Sequence, residues 1–319
     1  MPPIERIVFF GTPEFAVPTL AALVAAGRRP VAVVTQPSRP AGRGQRAHEP
    51  AVARWAREHG LPVLQPEKVR RPEFLEEMRA LAPDVAVVVA FGQIFPRDLL
   101  ALPPHGCVNV HASLLPRHRG AAPIQAALAA GDTHTGVTTM RMEEGLDTGP
   151  ILLMEKTAVG PDETAGELSL RLAEMGGALL VRTLEELEAG TLTARPQPAE
   201  GVTHAPRLTR ESGRVDWSLR APEIADRLRA YTPWPGLTAT LRGEPLKLVR
   251  AEPMAGPQEE ESPGRSPGTI VGLVDGRLAV ACGGGTVLGV LEVQRPGKKA
   301  LRAADFVNGE RLRSGEAFS

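Results

Sequence analysis

DVAVVVA, Asp84 to Ala90, is the stretch that decides the fold. Successive side chains of a strand point to opposite faces of its sheet. A run apolar at nearly every position is therefore buried on both faces, as in parallel sheets covered by helices. The segments upstream fit that setting. IVFF (Ile7 to Phe10) precedes a helical pattern from Pro13 to about Ala26, with Gly27 as its stop signal. Thr12 is placed to cap that helix and Pro13 to open it. VAVVT (Val31 to Thr35), a helical pattern from Pro50 to His59, a short PVL run and a helical pattern from Pro72 to Leu81 follow. Downstream come CVNVH (Cys107 to His111), then TGVTTMRM and GPILLMEK as an antiparallel pair, then an amphipathic helix from about Glu163 to Glu188. Alternation of this kind predicts an α/β domain built on a doubly wound, mostly parallel sheet.

Beyond Ala189 the pattern changes. Thr191 to Arg207 is rich in Pro, Thr and Ala and has no periodicity, so it reads as a linker over 190–207. One helix near Ala221 to Ala230 then precedes five short strands, LTATLRG, LKLVRA, GTIVGLV, RLAVACG and VLGVLEV, with Gly-rich turns. They predict a smaller OB-like β-barrel domain over 208–319. Met254 to Gly268 is a low-complexity loop inside it.

The 319 residues suit two cores better than one. A formal net charge of +0 excludes an overall basic field, so any nucleic-acid contact needs local patches. The two cysteines, Cys107 and Cys282, lie in apolar strand-like surroundings and suggest a reducing compartment. The histidines show no ligand spacing, and no metal site is predicted. MPPIERIVFFG carries Glu5 inside its apolar run and reads as a first strand, not a leader peptide. No apolar run reaches bilayer length, and a cytoplasmic protein is expected.

Three places could carry chemistry. Asn109 and His111 share one face of CVNVH where that strand ends. Ligand crevices of open α/β sheets lie outside such ends. An amide that cannot ionise and an imidazole that can would suit a developing oxyanion. From position alone they could equally be a satisfied pair closing a strand end. Asp147, in MEEGLDTGPIL between Gly145 and Gly149, could poise the histidine, or hold its own turn as an Asx residue. Arg39, Arg43 and Arg46 stand among Pro and Gly in TQPSRPAGRGQRAHE directly after a strand. Spaced arginines on such a loop suit phosphate, although an ordinary solvated loop looks the same. YTPWPG (Tyr231 to Gly236) could stack on a base or pack the second core.

Taken together, NVHASLLPRHRGAAPIQ and LDTGPIL resemble the 10-formyltetrahydrofolate-dependent formyltransferase family. FFGTPEFAVPTL, TQPSRPAGRGQ and AYTPWPG are similar to its tRNA-acting members. The resemblance implies a Rossmann-like first domain and an OB-like, tRNA-binding second one. It implies Asn109, His111 and Asp147 as the catalytic trio. Ser113, Leu114, Leu115 and Pro116 match the folate-binding segment, and the strand end with Val89, Phe91, Gly92 and Ile94 resembles the wall of the folate pocket. Arg43, with Arg39 and Arg46 beside it, matches the loop that enters the acceptor arm. The implied reaction moves the formyl group of 10-formyltetrahydrofolate to the α-amine of methionyl-initiator tRNA, through a monomer without metal. A formyltransferase acting on a sugar amine is the alternative. His118, where an aromatic residue is usual, and Gln45-Arg46, in place of the frequent lysines, depart from the family pattern, and the second domain is only mildly basic.

Overall fold

The structure, a computed structural model, describes residues 3–41, 46–254 and 264–319, with the side chains of 39–41 and 46–48 left aside. In chain order, β1 (Ile7–Gly11), α1 (Val17–Ala25) and β2 (Ala32–Val34) are followed by β3 (Arg39–Ala41), β4 (Arg46–His48), α2 (Ala51–Glu58) and β5 (Val63–Leu64). Then come α3 (Pro72–Leu81), β6 (Val85–Val89), α4 (Arg97–Leu100), β7 (Cys107–His111), β8 (Arg119–Gly120) and α5 (Pro123–Ala129). The antiparallel pair β9 (His134–Arg141) and β10 (Ile151–Ala158) leads into α6 (Ala165–Ala189) and β11 (His204–Ala205). The rest comprises α7 (Ala221–Ala230), β12 (Leu237–Leu241), β13 (Glu244–Met254), β14 (Ile270–Val274), β15 (Arg277–Ala281), β16 (Val287–Gln294), β17 (Ala300–Arg302) and α8 (Ala303–Glu310). Two compact units result: Met1–Pro123, His134–Ala158 and Leu168–Pro206 form one, and Ile124–Thr133, Val159–Glu167 and Arg207–Ser319 the other.

The first unit holds one sheet in the order β10-β9-β7-β6-β1-β2-β5. From β5 to β7 the strands are parallel; β9 and β10 run antiparallel. β6 lies at its middle, and all five of its residues are buried, as its unbroken apolar run requires. The pleat sorts the strands into two faces. Phe10, Val34, Val88 and Cys107 pack against Phe74 and Met78 of α3 and Leu99 of α4. On the other face, Val110 and Val137 come so close to α6 that only a glycine, Gly176, fits between them. The chain leaves β1 toward β2 and β5, then returns to β6 on its other side, so the strand order reverses between β1 and β6. A crevice at the carboxyl ends follows from that reversal.

Local signals explain the element ends. At the start of α6 the Thr164 hydroxyl accepts the Glu167 N–H at 3.4 Å, and the Glu167 carboxylate accepts the Thr164 N–H at 2.9 Å. This reciprocal pair satisfies two donors that a helix start otherwise leaves bare. Thr12 behaves differently from its sequence expectation. Its hydroxyl donates to the Phe91 carbonyl at 3.3 Å and accepts the Gln36 N–H at 3.3 Å, while Pro13 flanks a short 3-10 turn with no side-chain cap. Three strand ends compete for that hydroxyl, and they hold it. The arginine loop is also more ordered than read: Arg39 pairs with His48 and Ala41 with Arg46 in an antiparallel hairpin. Pro40, whose ring holds φ in the extended range, suits that strand. Arg43 lies outside the described residues.

In the second unit β12-β13-β16-β15-β14 form an antiparallel sheet, with β17 added to the far end of β16. Its apolar face, with Leu241, Leu246, Leu278 and Val290, is covered by Ile224 and Leu228 of α7 and Phe306 of α8. Residues 317 and 318 bridge both β14 and β12, through Thr269↔Ala317 and Leu241↔Phe318. The sheet edges are thereby joined, giving the barrel that the Gly-punctuated strands predicted.

Candidate active site

Asn109 and His111 stand on the face of β7 that also carries Cys107, at the carboxyl end of the sheet. β9 lies alongside, with Met140 opposite Asn109 and Thr138 opposite His111. Asp147 is in the turn between β9 and β10 and reaches back over them. Its Oδ1 accepts an N–H of the Asn109 amide at 3.3 Å. Its Oδ2 accepts the Gly120 backbone N–H at 2.8 Å and lies 3.7 Å from His111 Nδ1. All three side chains are largely withdrawn from water; those of His111 and Asp147 are 6% and 11% exposed.

The imidazole has a defined role because of its other nitrogen. His111 Nε2 lies 3.0 Å from the His118 carbonyl oxygen. A carbonyl can only accept, so Nε2 carries the hydrogen. Nδ1 is then the nitrogen that gains or loses a proton, and it faces the carboxylate. Amide, imidazole and carboxylate thus form one coupled group that can stabilise an oxyanion and move a proton. Ser113, two residues beyond His111, is not poised as a nucleophile: its Oγ donates to the Arg117 carbonyl at 2.6 Å.

The loop after β7 is held from below and above. Thr138 Oγ1 donates to the Ser113 carbonyl at 2.6 Å and accepts the Leu115 N–H at 3.3 Å. The His118 N–H donates to Thr203 Oγ1 at 2.8 Å. His118 therefore serves the site with its carbonyl, while its ring is buried with Nδ1 3.3 Å from Thr203 Oγ1. Gly120 sits at φ 125°, and a Cβ there would lie 2.4 Å from the Ala205 carbonyl oxygen. Only glycine admits the β8–β11 pairing that aims its N–H at Asp147.

Beside Asp147 lies a mostly apolar cavity of about 210 Å³, lined by Ile94, Phe95, Met140, Met142 and Leu146 among others. Ile94 is 88% and Leu146 69% exposed, so two large apolar side chains at its mouth remain in water. A flat apolar ligand would cover them. Leu115 packs against Met140 from behind. Among the residues expected to wall a folate pocket, Ile94 lines this cavity. Val89 is fully buried in the sheet, and Phe91 packs edge-on to Phe10 with centroids 5.3 Å apart. Ser113, Leu114, Pro116 and Gly92 are not among its lining residues. Nothing in the sequence pointed to Gln197 or Thr203, which support the site from the aperiodic Thr191–Arg207 segment. Among the described residues, no group of three or more His, Cys, Asp or Glu could hold a metal ion, and no helix is long and apolar enough to cross a membrane.

An amide, an imidazole and a carboxylate thus meet beside an apolar cavity at the carboxyl end of a mostly parallel sheet, a geometry suited to acyl transfer, and comparison gives the chain a family. Residues 5–184 match the family described as formyl transferase, and residues 207–311 match the formyl transferase C-terminal domain. The chain belongs to the formyl transferase family. It is 51% identical over 310 residues to the methionyl-tRNA formyltransferase of Myxococcus xanthus, covering 97% of this chain and 96% of that one. It is 53% identical over 307 residues to the methionyl-tRNA formyltransferase of Anaeromyxobacter dehalogenans, covering 96% and 97%. Among solved structures the fold is shared with WlaRD, a sugar 3N-formyl transferase crystallised with dTDP and 5-N-formyl-THF, at TM-score 0.64 and 14% identity over 93% of this chain and 99% of that one. HypX of Aquifex aeolicus, crystallised with tetrahydrofolic acid, matches at TM-score 0.61 and 16% identity over 98% of this chain and 48% of that one.

Proposed function

We propose that this protein transfers the formyl group of 10-formyltetrahydrofolate to the α-amine of methionyl-initiator tRNA, giving formylmethionyl-tRNA for translation initiation. The observation that carries the reading is the convergence of Asn109, His111 and Asp147 beside an apolar cavity, in a chain about half identical to methionyl-tRNA formyltransferases over nearly its whole length. A sugar amine is the second candidate acceptor, but the sugar formyltransferases among the solved structures resemble this chain at 14% to 20% identity.

The uncharged α-amine attacks the formyl carbon, a C–N bond forms, and negative charge develops on the former formyl oxygen. The second N–H of Asn109 and the protonated Nδ1 of His111 are the donors assigned to that oxygen. The attacking nitrogen, now cationic, gives up its proton toward Asp147. As the bond from carbon to N10 breaks, N10 receives a proton through the same group and reduced folate leaves. One oxyanion donor of this kind contributes about 3 kcal/mol, or 10²–10³ in rate. The apolar cavity suits the flat ring of the folate, with Ile94 and Leu146 covered on binding and the Ser113–Pro116 loop behind it. Arg39, Arg43 and Arg46 are assigned to the tRNA backbone, and the second unit to further tRNA contact. The two buried thiols fit a protein working in the reducing cytoplasm, and we assign it a monomeric state there.

The test is transfer of labelled formyl from 10-formyltetrahydrofolate to charged initiator tRNA, with uncharged tRNA and amino sugars as controls. Label should appear on charged tRNA alone. Equal or faster labelling of an amino sugar would overturn the choice of acceptor.

A further inference from the structure

The turn that carries Asp147 cannot hold its shape unaided. Asp147 is a non-glycine residue at φ 53°, in the left-handed region that side chains avoid. Two residues on, a Cβ at Gly149 would lie 1.8 Å from the Arg141 carbonyl oxygen, so the turn folds tightly onto the end of β9. Such a conformation persists where surrounding groups fix it.

Gln197 does so with its full hydrogen-bonding capacity. Its amide nitrogen donates to the carbonyl oxygens of Asp147 and Gly149, each at 2.8 Å. Its amide oxygen accepts from Arg119 Nε at 3.0 Å and Nη2 at 2.7 Å. A primary amide has two donors and an oxygen with two lone pairs, and all four are used. Arg119 in turn precedes Gly120, whose N–H holds the Asp147 carboxylate. Two residues before Gln197, Arg195 exchanges both backbone hydrogen bonds with Ile151 at 2.8 Å, anchoring the segment to the start of β10. One side chain thus ties the turn that bears the carboxylate to the loop that supplies its backbone donor.

We infer that Gln197 is a positioning residue for formyl transfer: it fixes the Asp147 turn against the loop after β7, and so sets the carboxylate against Asn109 and His111. The inference rests on the reading of Asp147 as catalytic. Gln197 is not among the residues lining the cavity, so its loss should alter the chemical step and not binding.

Four variants test it: Gln197→Met, which keeps length and removes all four bonds; Gln197→Glu, which keeps an acceptor for Arg119 and removes both donors; Asp147→Asn; and the Gln197→Met/Asp147→Asn double variant. Formyl transfer is measured with KM for donor and acceptor determined separately, and thermal unfolding checks the fold. Gln197→Met and Gln197→Glu should each lower kcat roughly 10- to 100-fold, the scale of a small misplacement, with both KM values within about threefold of the parent. In the Asp147→Asn background, Gln197→Met should cost less than about twofold more, because the group it positions is already gone. A merely structural role would impose its full loss there too. Should Gln197→Met not fold, Gln197→Glu and its own double variant with Asp147→Asn carry the same comparison. Near-parent kcat in the folded Gln197 variants, or full additivity in the double variant, overturns the inference while the catalytic reading of Asp147 stands. Near-parent activity of Asp147→Asn overturns both.

Discussion

Replacing Asn109 by aspartate probes the site with almost no change of shape. The amide nitrogen that donates to Asp147 Oδ1 at 3.3 Å becomes an oxygen. Two carboxylates at that distance repel by about 5 kcal/mol at an effective dielectric constant of ~20. The alternative is to protonate one of them, which at pH 7 costs an ordinary carboxyl about 4 kcal/mol. Both costs exceed the ~3 kcal/mol that an oxyanion donor supplies. Asn109→Asp should therefore lose more activity at pH 7.5 than Asn109→Ala, and at least about 10³-fold against the parent. The sign with pH follows. As pH falls the pair takes up its proton at ~1.36 kcal/mol less cost per unit, and the acid O–H then donates as the amide did. Between pH 7.5 and 6 the single-turnover rate of Asn109→Asp relative to Asn109→Ala should rise by roughly tenfold or more. A ratio flat across that range would refute the assignment of Asn109 as the donor that faces Asp147, and so would parent-like activity of Asn109→Asp at pH 7.5.

Three further outcomes are expected. Gly120→Ala puts a Cβ 2.4 Å from the Ala205 carbonyl at φ 125° and displaces the N–H that holds Asp147. Strain of ~1–3 kcal/mol and a charge-assisted hydrogen bond worth ~1.5–3 kcal/mol are at stake, so Tm should drop by several degrees and kcat by about 10²-fold. Unchanged values in both would count against the loop geometry. Burial pushes the thiols of Cys107 and Cys282 up to about 12. At pH 8 their labelling by iodoacetamide should be about 10³-fold slower than that of an exposed thiol and should speed up only on unfolding, as read by mass spectrometry. Glu188 accepts from Arg28 at 2.7 Å and from the Ile4 N–H at 3.0 Å, and these bonds, Arg28 first, hold its carboxyl below the ordinary value. A carboxyl lowered in the folded state stabilises above its unfolded pKa and loses that contribution as pH falls through the folded one. The stability deficit of Glu188→Gln, under about 1 kcal/mol, should be full at pH 7 in urea titrations and close below roughly pH 4. A deficit that widened in acid would reverse the sign of the argument.

The parts of the fold that could be read beforehand are those where one local property decides the outcome. Val85–Val89 of DVAVVVA is buried on both faces because every residue in it is apolar, and β6 takes the middle of the sheet for the same reason. Helix α6 is legible from its amphipathic pattern from about Glu163, and in the structure the reciprocal Thr164–Glu167 pair fixes its start. β17 and α8 carry no such local signal. Three residues, Ala300 to Arg302, cannot display alternation, and they become a strand only because β16 offers an edge. α8 follows at once without a side-chain cap at Arg302 and carries Gly309, which weakens any helical signal. The β8–β11 pair joins residues about 85 apart through two positions each, and neither stretch suggests the other.

The site divides in the same way. Asn109 and His111 are two apart on a strand, so alternation alone put them on one face. Asp147 enters through a turn at positive φ that local sequence hints at only through Gly145 and Gly149. Gln197 and Thr203 carry no local signal, because their roles exist in contacts with residues distant in sequence, 147, 149, 119 and 118. The distribution has a physical logic. Asn109 and His111 sit on a strand, where alternation is legible, whereas Asp147, Ile94 and Leu146 sit in turns and loops, where periodicity gives no guide. Gln197 and Thr203 work mainly through hydrogen bonds to backbone groups, Gln197 donating to two carbonyls and Thr203 accepting the His118 N–H, and any well-placed amide or hydroxyl can make such bonds. The segment from Thr191 to Arg207, whose regular structure amounts to the two-residue β11, follows two loops at once: Gln197 holds the turn that carries Asp147, and Thr203 holds the loop after β7.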